Sequence, residues 1–317
     1  MSMEFGNLAK AAAGDGALSA DEILELRQLG WADGKMDPEE AEGLFTANDA
    51  CTDPTPEWCD FFVEALSGFI VDTVEPKGYV DDEMADELIS RVDRDGRVGT
   101  MAELELLITV SERALNVPER LKTYVLKQVE DAVLHGDGPT RNGALDPGGI
   151  NAVECGLLRR LIFAPGSDRP AAVSKREAEM LFRIKDQTLY DVNAPEWEKL
   201  FVQGVANFLF GFGGHEPLER ERAAELEAFM AREGAGVGGF LSRMFTSKPD
   251  FDGAFGSLLD LGPHGPGVEA EAEEAGQLTP EESHWLSDML ETDEELDPLE
   301  KALLVWIAQE TGEEFKA

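Results

Sequence analysis

Residues 16–45, GALSADEILELRQLGWADGKMDPEEAEGLF, hold two helix starts and one helix stop. Ser19-Ala20-Asp21-Glu22 is a capping box, in which serine and glutamate satisfy each other's free backbone amides. Ile23, Leu26 and Leu29 follow at helical spacing until Asp33-Gly34 breaks the helix. Asp37-Pro38-Glu39-Glu40 starts a second helix. Proline suits the first helical position, where no amide hydrogen is needed, and acids in the first turn oppose the positive helix end. Leu44 and Phe45 supply its buried side. A third helix opens at Pro56-Glu57-Trp58 and carries Phe61, Phe62, Ala65, Leu66, Phe69 and Ile70 as an apolar stripe.

The same pattern recurs along the chain. At a gapless offset of 62 residues, Gly16 falls on Gly78, Leu26 on Leu88, Asp33-Gly34 on Asp95-Gly96 and Pro56-Glu57 on Pro118-Glu119. At an offset of 260, Asp33, Asp37, Pro38 and Glu40 fall on Asp293, Asp297, Pro298 and Glu300. A looser copy between them repeats AEGLF (41–45) as AEMLF (178–182) and Pro56-Glu57-Trp58 as Pro195-Glu196-Trp197. Four units are therefore expected, beginning near 16, 78, 143 and 276, each full unit of three helices and the last truncated. Strand-like alternation is absent, so the fold class is all-α, built as tandem helical bundles. The expected organisation is a tail at 1–15, a first bundle at 16–136, a linker at 137–149 and a second bundle at 150–317. The second bundle carries an insertion at 213–276.

With 43% apolar residues over 317 positions the chain can build a real core. Its net charge of −38 repels nucleic-acid phosphates and anionic lipid, so nucleic-acid binding is disfavoured and membrane association is peripheral if it occurs at all. Three cysteines, Cys51, Cys59 and Cys155, form no CxxC pair, and the N-terminus lacks a charged segment followed by an apolar one; both point to the cytoplasm. The most apolar stretch, 201–212, is interrupted by Gln203 and Asn207 and is too short to span a bilayer, so it reads as a core helix.

The phrase Ala32-Asp33-Gly34-Lys35-Met36-Asp37-Pro38-Glu39-Glu40 resembles the A-D-G-x-apolar-x-x-x-E signature of TerB-like, tellurite-resistance-associated helical domains. In the C-terminal copy Glu294 replaces Gly34, and in the second unit Ala102 stands where Glu40 stood. The resemblance covers one short motif per unit. It implies an all-helical cytoplasmic domain associated with stress-related, membrane-linked complexes and with metal binding through acidic residues.

The same turns also look like half of an EF-hand. Asp33, Gly34, Met36, Asp37 and Glu40 fit loop positions five, six, eight, nine and twelve, while Leu29 and Trp31 occupy the ligand positions one and three. Asp93, Asp95 and Gly96 fit three, five and six of a second loop, with Arg91 and Ala102 at one and twelve. The candidate ligands for a divalent cation, calcium or magnesium, are therefore Asp33, Asp37, Glu40, Asp93, Asp95, Asp293, Asp297 and Glu300. Helix capping explains the same acids without a metal, and no cofactor is expected otherwise.

Other motifs lack their context. Gly234-x-Gly236-x-x-Gly239 follows a helix instead of a strand, and Glu281-x-x-His284 has no second copy to complete a di-iron site. No catalytic residue is assigned, and an enzyme with a dispersed carboxylate site ranks last. The insertion contributes Phe240, Leu241, Met244 and Phe245 between glycines, a segment suited to docking into a protein partner as a short helix, to folding back on the core or, third, to resting on a membrane with Arg243 and Lys248 near headgroups. The leading expectation is a non-enzymatic scaffold that binds a protein partner; a cation sensor or buffer is the alternative.

Overall fold

A computed structural model describes residues 5–6, 14, 16–30, 36–74, 76–141, 148–164, 173–210, 280–290 and 296–311. The docking segment 240–245, Asp33 and Asp293 lie outside them. The described chain is helical: α1 (Ala20–Gly30), α2 (Pro38–Ala50), α3 (Pro56–Gly68), α4 (Asp82–Val92), α5 (Met101–Arg113), α6 (Glu119–His135), α7 (Ala152–Ile162), α8 (Lys175–Thr188), α9 (Glu196–Phe210), α10 (Pro280–Leu290) and α11 (Pro298–Thr311). No described helix is long and apolar enough to cross a membrane. The chain divides into two compact units, Met1–Gly148 with Gly156–Pro170, and Gly149–Cys155 with Ala171–Ala317.

In the first unit α3 is the central element. Thr55 caps it by accepting from Trp58 N at 3.2 Å, and Trp58, Phe61 and Phe62 are buried to within 1%. Burying each such ring is worth about 1.5–3 kcal/mol. α3 packs chiefly on α5, with α1 and α2 also against it. Its last turn widens into a π-turn over Phe69–Thr73, where Arg113 from α5 bonds both Asp72 and Ser67 Oγ. Phe5, within the segment expected to be a tail, is fully buried and lies against Gly30 and Gly43; a Cβ on either glycine would come within 3.0–3.2 Å of its ring.

In the second unit α9 takes the central position, packed on α8 and α11. One interruption in its apolar run has a use: Asn207 Oδ1 accepts from Val173 N at 2.8 Å, just before α8. The aromatic packing matches that of the first unit. Phe45 meets Phe62 edge-on at 5.5 Å and Phe182 meets Phe201 edge-on at 5.1 Å, while Trp58–Phe62 and Trp197–Phe201 are both 6.0 Å apart.

One short piece departs from the all-helical expectation. Asp93–Arg94 and Arg97–Val98 pair as an antiparallel hairpin. Its two corner residues, Asp95 and Gly96, have φ of 57° and 87°. Positive φ at both positions is the type I′ turn, which asparagine, aspartate and glycine adopt most readily and whose twist suits a two-residue hairpin. The Asp-Gly pair therefore closes strands here and does not end a helix. Gln128 of α6 holds the hairpin, accepting from Val98 N and donating to Gly96 O.

Candidate functional site

Of the acids singled out as metal ligands, Asp37, Glu40, Asp297 and Glu300 sit where helices begin. Asp37 Oδ1 accepts from Glu40 N at 2.9 Å and Glu40 Oε2 accepts from Asp37 N at 3.0 Å, a complete capping box. Equivalent boxes start α5 (Thr100 with Glu103), α7 (Asn151 with Glu154), α8 (Ser174 with Glu177) and α11 (Asp297 with Glu300). In all five the glutamate is buried, between 0% and 5% exposed. A buried carboxylate is tolerated because the free amides of the first turn and the positive helix end serve it.

The second unit adds a cation to this arrangement. Lys185 of α8, 2% exposed, places Nζ 2.6 Å from Asp297 Oδ2, 2.5 Å from Glu300 Oε1 and 2.8 Å from Asp186 Oδ1. Asp297 Oδ1 meanwhile accepts from Leu299 N and Glu300 N, and Glu300 Oε2 from Asp297 N. All four oxygens of the pair are therefore engaged. Burial by itself would lower the lysine pKa; the hydrogen bonds to Asp186, Asp297 and Glu300 more than offset it, and the pKa is raised. Lys185 is thus a held ammonium, unsuited to act as a base or nucleophile. A divalent ion could reach Asp297 and Glu300 only by displacing it.

Glu103 has a comparable partner. Arg94 grips both its oxygens, at 3.0 and 2.9 Å, and also bonds Asp49 at 2.5 Å; these bonds raise the arginine's pKa. Glu103, not Ala102, occupies the third helical position of α5, because one residue is added between α4 and α5 relative to α1 and α2. Asp93 is engaged by Gly96 N at 2.9 Å and by the hydroxyl of Tyr124 at 2.8 Å, and Asp95 forms the hairpin corner. Asp93, Asp95 and Gly96, which fit positions three, five and six of a calcium-type loop, build a type I′ hairpin here. Among the described residues no three His, Cys, Asp or Glu side chains converge as metal ligands would.

Lys185 and Asn48 were not singled out by sequence, although extending the AEGLF and AEMLF match by three residues aligns them. Asn48 accepts from Trp58 Nε1 at 3.2 Å and donates to Thr100 Oγ1, the cap of α5, at 3.4 Å. Lys185 likewise reaches a helix cap, that of α11. The exchange leaves Trp197 Nε1 buried with no hydrogen-bond partner among the described residues.

Nucleophile chemistry finds no support in the described cysteines. Burial, reinforced by Glu196 and Glu154, pushes the Cys155 thiol up to about 12, and burial with nearby negative charge raises Cys59. His135 and His284 are exposed and lie beside Asp131 and Asp288 on their own helices. A shallow concavity of about 320 Å³ between α1 and α3 is lined by Ile23, Leu24, Arg27, Glu57, Asp60 and Phe61. Comparison with known proteins returned no matching family, no matching curated protein and no matching solved structure.

Proposed function

We propose that this chain is a non-enzymatic, acidic helical scaffold of TerB-like kind that binds a protein partner. One observation carries the proposal: the candidate ligands Asp37, Glu40, Asp297 and Glu300 are engaged within the fold by helix caps, the last two also by Lys185. Recognition then rests with charge, the net −38 of the chain favouring partners carrying lysine or arginine.

Calorimetric titration with calcium and with magnesium tests the proposal against the cation-sensor alternative. No binding heat is expected at sub-millimolar metal. Heat that disappears in Asp33→Ala combined with Asp293→Ala would transfer the function to the acidic turns. Deleting 234–262 should leave helicity and melting intact, and loss of a co-purifying partner would put the docking element in that stretch; unfolding of the second unit would make the stretch core.

A further inference from the structure

The connection between α8 and α9, residues 189–195, displays Tyr190 at 97% exposure and Val192 at 91%. Apolar side chains that bury nothing contribute nothing to folding. The loop that carries them is nevertheless firmly braced. Thr188 O accepts from Asp191 N at 3.1 Å and from Asn193 Nδ2 at 2.8 Å. Asn193 Oδ1 accepts from Ile150 N at 3.0 Å, and Ala194 N donates to Ile150 O at 2.8 Å. Gly149, with φ of 80°, lets the two segments approach: a Cβ there would lie 2.7 Å from Val192 O. The corresponding α2–α3 connection, 51–55, is two residues shorter and exposes Thr52, Asp53 and Pro54 instead.

We infer that Tyr190 and Val192 form a preorganised docking knob for a protein partner whose apolar cleft is rimmed by lysine or arginine. The inference rests on the scaffold function proposed above and names its surface. Tyrosine is favoured at the centre of interfaces because it brings large contact area with few rotatable bonds, and a loop already ordered loses little entropy on binding. Charge selects the partner: Asp191 and Glu196 are exposed beside the knob, and no lysine or arginine occurs from 186 to 198. The same acids, with the charge of the whole chain, disfavour anionic lipid, nucleic acid and a second copy of this chain.

The test uses the full chain with a photo-crosslinking benzoylphenylalanine at position 190, or at position 24 as control, irradiated in extract of its native cell. The expected result is one adduct of defined mass at 190 and none at 24. Excess unlabelled chain should suppress it about tenfold or more, whereas chain carrying Tyr190→Ser and Val192→Ser should not. Raising KCl to about 0.5 M should weaken it by screening. The double variant should melt like the parent, since neither side chain is buried. Equal suppression by the double variant, or an adduct that is a second copy of the chain, overturns the inference. A competed adduct at 24 alone rejects this surface and leaves the scaffold function standing; no competed adduct at either position counts against both.

Discussion

The ammonium of Lys185 lies within 2.8 Å of three carboxylates and is almost wholly out of water, so its removal strands Asp297 and Glu300 with no cation. Lys185→Met should lower stability by about 3 kcal/mol, measured by denaturant unfolding, because a buried charge without its partner costs more than the pair contributes. Adding Glu300→Gln should recover part of that loss, since glutamine still caps the helix and carries no charge. If the double variant is no more stable than Lys185→Met alone, the loss is one of packing. The pH dependence has a definite sign. The folded-state pKa of Lys185 lies above the ordinary 10.5, so between the two values the folded chain holds a proton that the unfolded chain has released. The advantage of the parent over Lys185→Met should therefore be complete below about pH 10.5 and shrink as pH rises beyond it.

Helix starts were legible because a capping box needs only four consecutive residues. Asp37 to Glu40 and Asp297 to Glu300 announce α2 and α11, and the structure begins both helices there. The hairpin at 93–98 was not, because two residues per strand are too few to show alternation and Asp-Gly serves helix ends, calcium loops and hairpins alike. Gly96 separates those uses by experiment. A Cβ there would meet nothing within 4 Å, so any cost of Gly96→Ala comes from the backbone at φ of 87°. The expected loss is about 1 kcal/mol in thermal or denaturant unfolding, and an unchanged midpoint would show that the corner relaxes out of the positive-φ region.

For the whole molecule, 65 acidic residues against 27 basic ones make self-repulsion the dominant long-range term. Screening reaches about 10 Å at 0.1 M salt and tightens above it, so the melting temperature should climb by several degrees as KCl rises from about 0.01 to 0.5 M. Scanning calorimetry across that series checks it. A flat or falling series would mean that local ion pairs such as Arg94–Glu103 and Lys185–Glu300, weakened by salt, outweigh the net repulsion.

The sequence alone determined the all-α class, the starts of most helices and the absence of a recognisable catalytic motif, because capping and helical periodicity are written within a few neighbouring residues. Tertiary structure decided what the buried acids do. Lys185 meets its carboxylates from 112 and 115 residues away, and Arg94 fastens Asp49 from 45 away. No local pattern encodes such pairings, since only the packing of α8 on its neighbours brings a lysine that reads as surface charge into a site closed to water. The exposure of Tyr190 and Val192 was hidden for the converse reason: their composition reads as core, and only the bracing by Asn193 and Ile150 turns them outward.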